Sequence, residues 1–293
     1  MSGGLDARRY AFRADLADVE LREQVAAPRY AAAAPRICAA PTAPLRSAPD
    51  LARPAVATLL LGEPVKLFEL SGAWAWVQSA RDGYVGYAAA AALAPPDPAA
   101  RATHRVSVPR THLYPAPDFK TPPLGWAPLG GRLCVSAVHE GRFVKLGGRG
   151  AAPEAWVAAA HLSALDHAET DFVAVAERLE HAPYLWGGES VEGVDCSGLI
   201  QLALEQTGAP CPRDSDMQEE ELGAAAPLEG PRRRGDLVFW KGHVGVMVDD
   251  AILLHANAGA MRCAREPLDE AIERIEAAGE GRPTSARRLR TPF

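Results

Sequence analysis

Three side chains in this sequence have the chemistry and the setting for acyl transfer: Cys196, His243 and His255. Cys196 stands in "VDCSGLIQLALEQTG", where an amphipathic helix pattern begins. A lone cysteine is ordinarily a small buried hydrophobe. Here, though, the free N–H groups and positive end of a helix start would lower the thiol pKa. Gly193 and Gly198 would permit the close approach of a substrate main chain. Asp195 and Ser197 add polar groups, although Asp195 also reads as a simple helix N-cap. A thiolate nucleophile needs a base and a group to orient it. His243 opens "HVGVMVDD" directly after "GDLVFWKG", so it starts a strand beside a glycine turn. His255 closes the next strand-like run, "AILLHANAG", with Asn257 in reserve for the orienting role. Adjacent antiparallel strands would bring both rings together, His243 taking the thiol proton and His255 fixing its tautomer. The rival reading, a zinc held by Cys196, His243 and His255, lacks any short ligand spacing such as H-E-x-x-H.

The other cysteines, Cys38, Cys134, Cys211 and Cys263, have no such context and read as structural. An odd total of 5 without a C-x-x-C pair argues against a disulfide framework and a four-cysteine zinc site. A formal net charge of −6 leaves no basic surplus for a nucleic-acid partner. The first 25 residues hold no apolar run of signal-peptide type, and no run anywhere is long enough to span a bilayer; the expected location is cytoplasmic, away from membranes.

The elements that must position these residues occupy the last third of the chain. "DFVAVAERLE", "CSGLIQLALEQTG" and "LDEAIERIEAAG" have helical spacing, the last two ended by Gly208 and Gly279, with strand-like runs between them. Residues 26–165 instead carry short β-type runs such as "VKLFEL" and "WAWVQS". A weak internal repeat runs through them at an offset of about 69 residues: "LRSAPD" with "LYPAPD", "SGAWAWVQ" with "EGRFVKLG", and "GYVGYAAAAAL" with "EAWVAAAHL". This spacing predicts two small barrels, at 36–95 and 103–165, joined by "APPDPAARA" and followed by a third domain at 167–293. Residues 1–35 form a further segment whose purpose is not legible.

In order along the last domain, "PYLWGG", "DCSGLIQ", "PRDSDMQ", "RRGDLVFW", "HVGVMV" and "LLHANAG" resemble the NlpC-type, papain-like cysteine peptidases of bacterial cell-wall peptides. Cys196, His243 and His255 fall on that family's nucleophile, base and orienting positions. The repeat resembles two bacterial SH3-like domains, with Gly62–Glu63 and "DGYVGY" matching the first; the second lacks the "DGYxGY" motif. The resemblance implies an α+β fold, a papain-like NlpC-type catalytic domain preceded by two SH3-like β-barrels.

It also implies hydrolysis of the bond between γ-D-Glu and a diamino acid in murein tri- or tetrapeptides with a free N-terminal L-Ala, in peptide recycling. No metal or cofactor is needed. By the same resemblance Glu63, Tyr84, Tyr184, Trp186, Asp195, Ser197 and Ser215 bind substrate, and Asp195 marks its amino end rather than serving as a cap. The plainer readings are a solvated turn charge for Glu63, a core aromatic for Tyr84 and a packing role for Trp186. Two other classes stay open: a non-catalytic wall-binding protein, and a thiol amidase or acyltransferase on another substrate. The diamino acid and the oligomeric state are not specified by the sequence.

Overall fold

Short runs with alternating apolar residues fold the first half of the chain into β-structure, while the longer periodic runs of the last third become helices. A computed structural model describes residues 4–139, 141–147 and 154–289. The chain divides into two units, Met1–Leu165 and Asp166–Phe293.

The first unit holds both copies of the repeat. In the first copy, strands 55–60, 42–46, 85–89, 74–79, 64–71, 34–38 and 93–94 are neighbours in that order. Their inward side chains, among them Leu45, Leu59, Val65, Val77 and Tyr84, make one core. In the second copy the strands are shorter and fall into three small sheets around Val106, Leu113, Leu133, Val144 and Val157. Each copy closes the same way: a 3₁₀ turn, Ala90–Ala92 or Ala159–His161, leads into a last strand, Leu93–Ala94 or Leu162–Ala164. Glu140 of the repeat lies outside the described residues.

The N-terminal segment has a place in this unit. Ala11 and Leu16 pack with Phe68 and Trp76 on the outer face of the first barrel. Arg13 lies 4.5 Å over the Trp76 ring and pairs with Glu69 and Asp15.

The second unit is built on a six-stranded antiparallel sheet. Its strands are β1 (Ala224–Ala226), β2 (Asp236–Trp240), β3 (His243–Met247), β4 (Ile252–Asn257), β5 (Arg262–Pro267) and β6 (Ser285–Arg288). They lie in the order β1-β6-β2-β3-β4-β5. The central β2 is buried along its whole length, which explains its continuous apolar run. Helices α1 (Phe172–Glu177), α2 (Cys196–Gln206), α3 (Ser215–Glu221) and α4 (Leu268–Ala277) surround it. α2 packs on β3 and β4, with Leu199, Ile200, Leu202 and Leu204 at most 1% exposed. Leu268, Ala271 and Ile275 of α4 seal another face against Val238, Trp240, Met247 and Leu253.

Candidate active site

The β2–β3 hairpin turns at Lys241–Gly242, and the strand pair it joins places His243 opposite Trp240. The rings of these two residues sit 5.7 Å apart. One strand further, the β3–β4 register carries His255 to the same end of the sheet. His243 Nε2 lies 2.8 Å from His255 Nδ1, so the structure brings the two histidines into direct contact. His255 is completely buried.

Cys196 is the first residue of α2, and its Sγ approaches the Gly242 carbonyl at 4.0 Å. The Val244 and Ser197 N–H groups also face the sulfur, so the thiol lies against the backbone on both sides of His243. The helix start favours a thiolate, as its position predicts, but burial is the stronger effect. Burial, with Asp195 adding to it, pushes the thiol up to about 12 against the opposing Arg213 and backbone N–H groups. His243 moves the other way: burial, then His255 and Arg274, lower it to about 3, with Glu266 opposing. A buried site disfavours separated charges, so the resting pair is neutral thiol and neutral imidazole.

Hydrogen-bond partners set the tautomers. His255 Nε2 is 2.6 Å from Glu266 Oε1, a charge-assisted bond that requires the proton on that nitrogen. Asn257 Nδ2 lies 3.0 Å from the same nitrogen, but one imidazole N–H cannot also accept. The carboxylate therefore holds the proton, while Asn257 Oδ1 accepts from Ala260 N–H at 2.7 Å. His255 Nδ1 is then an acceptor, His243 Nε2 donates to it, and the His243 Nδ1 lone pair is left for the thiol proton.

The start of α2 is tied down by a buried arginine. Arg213, 1% exposed, donates to Asp195 Oδ2 at 2.6 Å, Asp195 Oδ1 at 3.0 Å and Ser197 Oγ at 2.8 Å, and pairs with Glu189 at 2.7 Å. Asp195 also accepts from Gly198 N–H at 2.7 Å and Gly187 N–H at 2.8 Å. Asp195 is thus the helix cap after all, and its acceptor positions are filled from within the protein. A part at the substrate's amino end, expected from the resemblance, would share the carboxylate with these internal bonds. Ser197 is likewise bonded internally. The room beside Gly193 and Gly198 is also taken: an added Cβ would meet the Leu185 side chain or the Gly188 carbonyl, each at 2.4 Å. These glycines serve the protein's own packing, not a substrate chain.

Tyr184 is half-buried beside Cys196; burial first, then Cys196 and Asp195, push its phenol up to about 12. Trp186 is 58% exposed. Ser215 is the buried first residue of α3, just after Asp214. In the first unit, Glu63 is neither solvated nor open: it is 2% exposed, accepts from Leu60 N–H at 3.0 Å and Ser79 Oγ at 2.8 Å, and pairs with Arg81. Tyr84 belongs to the first barrel's core. Arg213, Glu189, Glu266 and Arg274 escaped sequence reading. For Arg213 a signal existed, since an arginine in an apolar loop between Pro212 and a helix start needs carboxylates to be buried. Among the described residues no three His, Cys, Asp or Glu side chains are grouped to hold a metal ion.

A cysteine at a helix start set against two histidines on an antiparallel sheet is the papain-like arrangement, and the family model of that class, the NlpC/P60 family, matches residues 181–274. The bacterial dipeptidyl-peptidase Sh3 domain model matches residues 45–93. The chain therefore carries an NlpC/P60 domain preceded by an SH3 domain of the bacterial dipeptidyl-peptidase type. Dipeptidyl-peptidase 6 of Lysinibacillus sphaericus is 34% identical over 88 residues, 30% of this chain and 32% of that protein. The γ-D-glutamyl-L-lysine dipeptidyl-peptidase of Bacillus subtilis is 39% identical over 82 residues, 25% of this chain and 27% of that protein. These matches span 32% and 27% of the relatives' own lengths. The crystal structure of an NlpC/P60 family protein from Bacillus cereus shares the fold, with a TM-score of 0.73 at 20% identity over 87% of this chain and 99% of that one.

Proposed function

We propose that the protein is a cysteine peptidase that cuts murein peptides between γ-D-Glu and the following diamino acid. The observation that carries this is the Cys196 thiol lying against the backbone that flanks His243, whose ring contacts His255 at 2.8 Å. As substrate binds, His243 Nδ1 takes the thiol proton while the sulfur attacks the scissile carbonyl. The oxyanion forms beside the free N–H groups at the start of α2, that of Cys196 included. The imidazolium then protonates the leaving amine, giving an acyl-enzyme that water clears with His243 again as base.

The bond specificity rests on the activity for which the B. subtilis relative is named, and a free N-terminal L-Ala on the family resemblance. Tyr184, Trp186, Asp195, Ser197 and Ser215 are the groups of the second unit that we assign to substrate. Glu63 and Tyr84 enter as further candidates, with the barrel roles described above. Five unpaired cysteines suit a reducing compartment, and we place the reaction in cytoplasmic recycling of small murein peptides.

The test is incubation with L-Ala-γ-D-Glu-meso-diaminopimelate and mass spectrometry for the released L-Ala-γ-D-Glu dipeptide. Wild type should release it and Cys196→Ala should not. No dipeptide from wild type, or equal product from the variant, refutes the activity. An N-acetylated substrate should be refused; equal cleavage of it refutes the free-amine reading alone. Fractionation of the source cells, with the protein in the soluble cytosol, checks the location.

A further inference from the structure

The chain of polar contacts does not stop at the orienting histidine. Glu266, on β5, accepts from the fully buried His255 Nε2 at 2.6 Å. Behind it Arg274, on α4, binds the same carboxylate through both its Nε, at 3.3 Å, and its Nη2. The carboxylate is 11 residues from His255 in sequence, and the register places it diagonally across the β4–β5 pair, where Leu253 faces Glu266 and His255 faces Ala264. The arginine arrives from the helix that follows. Three elements thus converge on one imidazole nitrogen that no solvent reaches.

We propose that Glu266 is a positioning residue for catalysis, holding the proton on His255 Nε2 so that His243 presents its basic nitrogen to Cys196, and that Arg274 limits how strongly it does so. This rests on the reading of Cys196 as nucleophile and His243 as base. A carboxylate at the end of the relay stabilises the imidazolium that forms on His243 when the thiol proton arrives. A guanidinium behind that carboxylate opposes it. The charged and titratable groups facing the two histidines and the thiol are Tyr184, Asp195, Arg213, Glu266 and Arg274. Of these, Glu266 favours the charged form of His243 and Arg274 disfavours it, each through space. Burial works against the Glu266 charge, but the bonds from His255 and Arg274 hold its carboxyl down to about 2, so the charge is present wherever the enzyme works.

The distinguishing property is sign. If the two residues only support the fold, removing either should slow the reaction. If they act as charges on a proton relay, Glu266→Gln should weaken the base and Arg274→Gln should strengthen it. The experiment is iodoacetamide alkylation of the full-length protein across pH, with Cys196 followed by peptide mass spectrometry. The readout needs no peptide substrate. Glu266→Gln should slow alkylation at neutral pH about tenfold, the scale of one charge-assisted hydrogen bond. Glu266→Asp, which keeps the charge, should recover most of that loss. Arg274→Gln should alkylate faster than wild type. In a His243→Ala background the Glu266 substitution should have no effect.

An unchanged profile in Glu266→Gln, or slowing in both variants, overturns the proposal. A wild type whose Cys196 resists alkylation at every pH overturns the nucleophile reading beneath it, and this inference with it. Should Glu266→Gln fail to fold, the sign of the Arg274→Gln effect decides alone.

Discussion

At the scale of single residues, the site depends on one proton being on one nitrogen. Cys196 is pushed up to about 12 and His243 down to about 3, so neither is charged at rest and the proton moves only when substrate displaces water. The acid limb of kcat/KM should therefore lie well below 6.5, the ordinary imidazole value. An inflection at or above that value, measured on the dipeptide-releasing reaction, would show that His243 is not held neutral by burial. The positions of the three residues proposed to react were legible from local context: a helix start for Cys196 and strand ends for the histidines. Their protonation was not, because it depends on burial and on Glu266 and Arg274, which come from a separate strand and helix. The bonding of Asp195 was hidden for a related reason. Sequence places a carboxylate beside the nucleophile but does not show that Arg213, Gly187 and Gly198 already occupy it.

At the scale of elements, the nucleophile is only as well placed as the first turn of α2. That turn is held by a buried three-residue ion cluster of Glu189, Arg213 and Asp195, and removing the cation would leave two buried carboxylates without their counter-ion. Arg213→Met should cost about 3–5 kcal/mol of stability by urea denaturation. A loss under about 1 kcal/mol would mean that solvent or another donor takes over. The apolar face of α2 should be similarly intolerant, Leu199→Ala costing about 2–5 kcal/mol in the same measurement. Periodicity found α2 and α4 because their spacing is regular. It found the β2–β3 hairpin because Gly242 punctuates it. The ion cluster lay beyond reach because its members are brought together by the fold, not by spacing.

At the scale of the whole molecule, carboxylates in both units are held low by their partners: Asp15 by the Arg13 and Arg29 guanidinium groups, to about 2, and Glu266 by the His255 N–H and Arg274, against burial, also to about 2. For acids held below their ordinary values, 3.8 for Asp15 and 4.5 for Glu266, the stabilisation is complete above those values and is lost as pH falls to the folded value. Glu63 has the opposite sign: burial raises it, so acid relieves its cost. Stability followed by circular dichroism should fall between about pH 4.5 and 2. Added salt should weaken the exposed Asp15 contribution first. The repeat was visible as an offset of similar phrases, but the N-terminal segment carried no signal of its destination, since its partners Phe68 and Trp76 lie in later strands. That arrangement has a consequence for synthesis on the ribosome. Residues 11–16 emerge first, yet the surface that shelters them is complete only once the strand ending at Ala89 has been made. That segment must wait, unburied, for roughly seventy residues of translation, about 4–15 s at ordinary elongation rates. Any factor that recognises this segment during synthesis has that interval in which to do so.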